Sequence, residues 1–131
     1  MKLIVLNLLI LFAFGSFAVQ GAQAAENVRV QVNHQARAAR AGIRVRFVEM
    51  VEDSRCPTDV NCIQAGNAKI TIEVSKNGRS KTLELNTNSM KGAAIFAGYR
   101  FELRRLTPEP RSNVRINRNG YVATIRVERN R

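Results

Sequence analysis

The chain has 131 residues, and its 21 lysines and arginines against 10 acidic residues give a formal net charge of +11 at pH 7. A chain of this length is expected to form one domain around a single core. The positive charge favours anionic partners and disfavours inhibition of a strongly basic enzyme such as lysozyme, because two cationic surfaces repel each other.

The first 24 residues have the pattern of a secretory signal peptide. Lys2 supplies the positive charge, residues 3–14 are an almost uninterrupted apolar run, and residues 22–24 match the small-x-small cleavage motif. The run is shorter than the roughly 20 apolar residues that a membrane span requires, which disfavours a single-pass anchor. We therefore expect cleavage after Ala24 and export to the periplasm or cell exterior. The mature chain, residues 25–131, is predicted to be one domain with no membrane span.

The next segments are interpreted from their alternation of apolar and polar residues. Residues 28–32 alternate with period two, which predicts a half-buried strand. Residues 33–42 lose the alternation, and we predict a loop there, because one or two turns of helix would be marginal alone. Alternation resumes over residues 43–51, where the adjacent apolar pairs Phe47-Val48 and Met50-Val51 indicate a β-bulge.

Both cysteines lie in the stretch that separates the two β-patterned halves of the chain. Cys56 and Cys62 enclose five residues, and in an oxidising compartment such a pair predicts a disulfide. A metal site is disfavoured, because the one histidine, His34, lies far upstream. So short a ring stabilises the fold by about 2 kcal/mol in the loop-entropy model. Pro57, inside the ring, cannot donate a ladder hydrogen bond.

Residues 68–86 predict a β-hairpin, because Asn77-Gly78 is the preferred pair for a two-residue type I′ turn. The predicted inner-face pairs are Val74 with Lys81, Ile72 with Leu83 and Ile70 with Leu85, and the outer-face pairs are Glu73 with Thr82 and Thr71 with Glu84. Lys81 is the one charged member of the inner face, and we expect it to reach water because it lies close to the turn.

The following segments are shorter. Residues 87–92 are predicted to form a polar loop, and residues 93–97 form either a short strand or a buried loop. Residues 99–106 alternate as a half-buried strand, which ends before Pro108 and Pro110 because proline cannot donate to a ladder.

A polar connection leads to a second turn signal, Asn119-Gly120, and to a last strand over residues 121–128. Six or seven short strands within about 100 residues, with turns at regular spacing, predict an all-β fold. The preferred architecture is an antiparallel β-sandwich of immunoglobulin-like type, and a small closed β-barrel is the alternative.

Sixteen residues around the cysteines carry a dense pattern, namely Asp53-Ser54-Arg55-Cys56-Pro57, Val60, Cys62, Ala65-Gly66 and Ala68. In this pattern the chain resembles a family of small secreted bacterial proteins with a D-S-R-C-P-x-x-V-x-C-x-x-A-G-x-A signature. The later Tyr99 strand, its proline-containing turn and the final Tyr121-x-Ala123 strand are also similar to that family. Gln64 departs from it, since members often carry tryptophan there. The resemblance implies a secreted domain of this type and carries no established activity.

The ring closed by the two cysteines also predicts a preorganised binding loop, because a rigid loop loses less conformational entropy on docking. Secreted inhibitors of proteases or cell-wall hydrolases use loops of this general kind. The candidate contact residues are Arg55, Thr58, Asp59, Val60 and Asn61. The alternative is a structural ring that staples a crossover between the sheets, with Asp53 and Arg55 bonded to backbone groups or to each other.

The sequence predicts no catalytic residue, no metal site and no cofactor. Hydrolytic catalysis needs a nucleophile beside a base, paired carboxylates, or a metal with several ligands. His34 has no serine, cysteine or aspartate nearby in the sequence, and the glutamates fall on outward strand faces. Asp53, Asp59 and Asn61 supply fewer oxygen ligands than calcium prefers.

Arginine dominates the charge of the mature chain. After the loss of Lys2, 20 basic residues remain against 10 acidic ones, and 16 of the basic residues are arginine. The planar guanidinium binds phosphate and carboxylate groups through two parallel hydrogen bonds. The candidate anion-binding residues are Arg111, Arg115, Arg118 and Arg126. The alternative is that arginine only solvates the outer face of a sheet.

The expected function is therefore that of a non-enzymatic binding or structural protein of the periplasm or cell exterior. Its expected partner is an anionic envelope component or a secreted protein. Nucleic acid is disfavoured, because the aromatic side chains fall mostly on inward positions and leave few stacking platforms. Inhibition of a protease or another hydrolase through the Cys56–Cys62 loop is the alternative.

Overall fold

A computed structural model of the chain describes residues 24–88 and 93–131. The predicted signal peptide therefore lies outside the described residues except for Ala24, and so does most of the predicted polar loop over residues 87–92. Within the described residues, no helix has the length and apolar character needed to cross a membrane.

The described residues form eight strands, which assemble into two four-stranded antiparallel sheets in the orders β1-β8-β7-β6 and β2-β3-β4-β5. The strands are β1 (Glu26–Gln31), β2 (Gln35–Ala38), β3 (Ile43–Asp53), β4 (Ala68–Lys76), β5 (Arg79–Asn86), β6 (Ala94–Phe96), β7 (Tyr99–Thr107) and β8 (Val122–Arg129). Both sheets are open, which confirms the predicted antiparallel β-sandwich rather than the closed barrel.

The core is built from the inward side chains of both sheets. Alternate residues along the strands are buried, as the period-two pattern predicts. Phe47 from β3 and Phe101 from β7 are among the largest fully buried side chains, so each sheet contributes one. Burying a side chain of this size stabilises the fold by about 2 kcal/mol relative to leaving it exposed.

The hairpin of β4 and β5 confirms the register counted from its turn. All five predicted pairs are present, from Ile70 opposite Leu85 to Val74 opposite Lys81. Asn77 has a φ of 51° and Gly78 a φ of 76°, and a type I′ turn requires positive φ at both of these positions. Lys81 is exposed, as expected.

The loop predicted over residues 33–42 is wrong in part, because Gln35–Ala38 forms the edge strand β2 beside β3. Ala36 and Ala38 face the core, but alanine is depleted in strands and gives a weak alternation signal. Strand formation here is decided by pairing with β3. This strand raises the number above the six or seven that were predicted.

Two strands carry irregularities. The register of β3 shifts between Phe47 and Glu49 and again beyond Met50, which confirms the predicted bulge. The register of β7 shifts between Leu103 and Arg105, and nothing in the sequence predicted this shift. The segment over residues 93–97 contains the short strand β6.

At one end of the sandwich, both sheets contribute to a single region. Asp53 pairs with Ala68 at the β3–β4 end, and Thr107 pairs with Val122 at the β7–β8 end. The cysteine ring lies in the link between β3 and β4. Residues 108–121, which we call the connection, link β7 to β8.

Candidate functional site

The predicted disulfide between Cys56 and Cys62 is present, with their Cα atoms 5.9 Å apart. Together with the five residues that they enclose, these cysteines form what we call the ring. Its position at the end of the sandwich lets the connection lie against it.

Beneath the ring, the Arg55 side chain points into the protein. Its guanidinium holds the Asp53 carboxylate through two parallel hydrogen bonds, Nε to Oδ1 at 2.7 Å and Nη2 to Oδ2 at 2.9 Å. It also donates to the carbonyl oxygens of Leu106 at 2.7 Å and Pro108 at 2.9 Å. Each of the two charged side chains is only 13% exposed. Arg55 therefore joins the end of β3 to the end of β7, and its bonds to Asp53 and to backbone groups are those that the structural alternative for the ring anticipated. The crossover between sheets in that alternative is wrong, because the ring lies between β3 and β4, which are neighbouring strands of one sheet.

Tyr121, the last residue of the connection before β8, completes this arrangement. Its hydroxyl donates to Oδ2 of Asp53 at 2.9 Å. Burial, the hydrogen bond to Asp53 and the Asp53 charge raise the pKa of Tyr121 to about 12. We call Asp53, Arg55 and Tyr121 the clasp, because they tie both sheets together at this end.

The charge state of Asp53 follows from the same contacts. Burial by itself would raise the pKa of Asp53, but the hydrogen bonds from Arg55 and Tyr121 and the Arg55 charge outweigh burial. The pKa therefore lies below its ordinary value. The carboxylate stays ionised at neutral pH, and it is saturated by partners from its own chain.

Two of the predicted contact residues hold the ring onto the connection. Thr58 donates its backbone N–H to the Pro110 carbonyl oxygen at 2.9 Å. The Asp59 carboxylate accepts from the Ser112 backbone N–H at 2.9 Å and from the Ser112 hydroxyl. These hydrogen bonds from Ser112 keep the pKa of Asp59 below its ordinary value.

The neck of the ring is closed by Ser54, Gly66 and Asn67. Ser54 donates both its N–H and its hydroxyl to the Asn67 carbonyl oxygen at 2.8 Å. A Cβ atom on Gly66 would lie 1.5 Å from the Ser54 carbonyl oxygen. The position therefore requires glycine, and it is one of the residues of the signature pattern.

The exposed part of the ring region carries two large apolar side chains among polar ones. Val60 is 45% exposed and Ile63, just after the ring, is fully exposed. Asn61 between them also faces solvent. Ile63 is not among the contact residues predicted from the sequence, because an isolated isoleucine outside a strand pattern gives no signal of its position.

The four predicted anion-binding arginines do not lie on one element. Arg111, Arg115 and Arg118 are exposed along the connection. Arg126 lies within β8, where its Nη2 pairs with Oε2 of Glu128 at 3.0 Å. A different arginine cluster, which includes Arg37 and Arg44, lies on the sheet β2-β3-β4-β5 at the opposite end of β3.

Metal ligands do not gather in the part of the chain that the structure describes, since no three side chains of His, Cys, Asp or Glu come together there. His34 is exposed, and its Nδ1 lies 2.9 Å from the Val32 carbonyl oxygen.

No protein-family model, curated protein or solved structure matches the chain. The resemblance to the secreted family with the D-S-R-C-P signature therefore stays a prediction. The fold and this region together define a small antiparallel β-sandwich with a disulfide ring fastened to its end.

Proposed function

We propose that the chain is an exported, non-enzymatic binding protein of the periplasm or cell exterior, and that its ligand is an anionic envelope component. The observation that carries the proposal is the number of arginines without a carboxylate partner. Within the described residues, ion pairs are formed by three of the 16 arginines, namely Arg55, Arg104 and Arg126. The remaining arginines give the surface a positive potential that attracts anions.

Two further features support the proposal. Residues 1–24 carry the pattern of a cleavable secretory signal. The disulfide between Cys56 and Cys62 fits an oxidising compartment. Cleavage after Ala24 removes one lysine and keeps all of the arginines, so the exported chain has the basic surface.

Retention of the exported protein on heparin and on anionic vesicles tests the proposal. We expect retention at low ionic strength that falls steeply as salt is added, because salt screens interactions between exposed charges. Vesicles of a neutral lipid are the control. Absence of retention on both anionic supports at low salt, or retention that salt does not change, would contradict the proposal.

Inhibition of a secreted hydrolase through the ring is the second candidate function. The observation that favours it is the exposure of Val60 and Ile63 on a segment that is closed by a disulfide and fastened through Thr58 and Asp59. An apolar pair held in a fixed position docks at a lower entropic cost than the same pair on a mobile loop.

Replacing the two apolar side chains separates this function from the first. We expect Val60→Ser with Ile63→Ser to leave the melting temperature unchanged and to abolish inhibition of secreted proteases or cell-wall hydrolases. The matched control is Val51→Ser with Ile95→Ser, which changes two exposed apolar residues of the same types on strands. Equal inhibition by the wild type and by both variants would rule out the ring as the inhibitory element.

A further inference from the structure

We infer that a groove on the outer face of the sheet β2-β3-β4-β5 is a binding site for a phosphate group. The groove is lined by Arg37, Arg44 and Arg79 together with the hydroxyls of Ser75 and Ser80. This inference rests on the proposed function and deepens it, because it names the part of the surface and the chemical group that it recognises.

Strand register brings the groove residues together. Arg37 on β2 lies opposite Arg44 on β3, and Arg44 lies opposite Ser75 on β4. Ser75 in turn lies opposite Ser80 on β5. Residues directly opposite each other on neighbouring strands have Cβ atoms about 5 Å apart, so two guanidinium groups and two hydroxyls form one row across the four strands.

The two arginines in this row face each other without a neutralising partner. Neither Arg37 nor Arg44 forms an ion pair in the part of the chain that the structure describes. Among the described residues, Glu73 is the one carboxylate lining the groove, and it lies opposite Arg46 and only diagonal to Arg44. Like charges directly opposite each other destabilise a sheet, and a bound anion relieves that repulsion.

Additional positive charge borders the row. Arg79 follows the β4–β5 turn and is exposed. Lys76 also lines the groove, but its Nζ donates to the Ala41 carbonyl oxygen at 2.7 Å and lies 4.8 Å from the centroid of the Tyr99 ring. Lys76 is therefore fixed in place and contributes to the potential, while the arginines are free to turn toward a ligand.

The size and the donors of the groove suit a phosphate group. Its volume is about 470 Å³, which accommodates a phosphate and part of the molecule that carries it. Each guanidinium presents five N–H donors in a planar fork, and each serine adds a hydroxyl. The two forks of Arg37 and Arg44 and the two hydroxyls offer more donors than the two oxygens of a carboxylate accept, whereas a phosphate offers more acceptor oxygens and up to two negative charges.

Titration of the exported protein with inorganic phosphate, followed by the amide resonances of the groove in NMR spectra, tests the inference. We expect saturable shifts at Arg37, Arg44, Ser75 and Ser80, and no such shifts with chloride at the same ionic strength. Shifts that are confined to the connection, or that spread evenly over the surface, would overturn it.

Two variants that each lose three arginines, and therefore have equal net charge, are compared for phosphate binding. We expect R37Q with R44Q and R79Q to weaken phosphate binding about tenfold or more, since hydrogen bonds to charged groups are the strong ones. The control, R29Q with R100Q and R105Q, removes three exposed arginines from the outer face of the other sheet. Equal weakening in both variants would overturn the inference. It would leave the proposed function standing, whereas failure of the wild type to bind any anion would remove both.

A third variant keeps the result interpretable if the glutamine variant is unstable. R37K with R44K and R79K preserves the charge and removes the planar fork. We expect it to bind phosphate more weakly than the wild type, and undiminished binding would contradict recognition by the guanidinium groups.

The phosphate can belong to a lipid headgroup or to a soluble phosphorylated sugar. Vesicles of phosphatidylglycerol, with phosphatidylcholine as the control, report the first source, and glucose 6-phosphate reports the second. Binding to either probe that is lost in R37Q with R44Q and R79Q supports the site and assigns its source. If this variant still binds both probes as the wild type does, that result contradicts a phosphate site in the groove.

Discussion

At Gly66, the two ends of the loop that carries the ring approach so closely that no side chain fits between them. A Cβ atom there would overlap the Ser54 carbonyl oxygen. Several other members of the signature pattern also have structural contacts: Asp53 and Arg55 form the ion pair of the clasp, and Ala68 is fully buried at the start of β4. Most residues of the signature pattern are therefore explained by the contacts that hold the two sheets together at this end of the sandwich.

Replacement of Gly66 by alanine tests this explanation. We expect Gly66→Ala to lower the free energy of unfolding by about 2 kcal/mol or more, because the backbone must shift to admit the methyl group. The measurement is urea denaturation. Gly120→Ala is the control, since a Cβ atom there meets its nearest neighbour, the Cβ of Asn117, at an ordinary 3.7 Å. Equal losses in the two variants would contradict the close approach at Gly66.

The clasp makes the free energy of unfolding depend on pH at both alkaline and acidic pH. The pKa of Tyr121 is raised from 10 to about 12, so its contribution is complete below pH 10 and is lost as the pH rises through about 12. The pKa of Asp53 is lowered from 3.8, so its contribution is present above pH 3.8 and is lost as the pH falls through the lowered value.

Tyr121→Phe isolates the alkaline part of this dependence. At neutral pH we expect the variant to unfold with a free energy about 1 kcal/mol lower, because Asp53 loses one hydrogen-bond donor. The difference between the wild type and the variant should shrink as the pH rises from 10 toward about 12, because the hydroxyl ionises near pH 10 in the unfolded state but only near 12 in the folded state. Urea denaturation over this range measures it, and a difference that stays constant with pH would refute the contribution of the Tyr121 hydroxyl.

At the scale of elements, the sequence predicts the strands and turns that depend on residues close together in the chain. The prediction of the β4–β5 hairpin is correct for every residue pair, because the turn residues and the alternating residues lie within one short segment. Strand β2 was predicted as a loop, because pairing with β3 decides its conformation and its alanines give little signal. The bond between Asp53 and Arg55 in the clasp was anticipated, but the part of Tyr121 was not, since Tyr121 lies 68 residues from Asp53 and its inward position suggested only a core residue.

Two outward arginines of β3 face opposite charges on the neighbouring strands, so we expect their replacement to change the free energy of unfolding in opposite directions. Arg44 lies opposite Arg37, so we expect Arg44→Gln to raise the free energy of unfolding by about 0.5 kcal/mol. Arg46 lies opposite Glu73, so we expect Arg46→Gln to lower it by a similar amount, about 0.5 kcal/mol. Urea denaturation at low salt compares the two, and changes of the same sign would contradict the repulsion between Arg37 and Arg44.

At the scale of the whole molecule, the clasp and the groove occupy opposite ends of the sandwich. Asp53 lies nine positions after Arg44 along β3, which corresponds to about 30 Å of extended strand. The sequence indicated an excess of arginine, and the anion-binding residues predicted from it, Arg111, Arg115, Arg118 and Arg126, all lie in the last third of the chain. It did not indicate the groove, because that cluster exists only when β2, with Arg37, pairs with β3.

Thermal unfolding of the protein with and without inorganic phosphate, at constant ionic strength, tests most directly the claim that this surface binds phosphate. A ligand that binds only the folded state raises the melting temperature. We expect such a rise in the wild type and none in the variant R37Q with R44Q and R79Q. No rise in the wild type, or the same rise in both proteins, would contradict it.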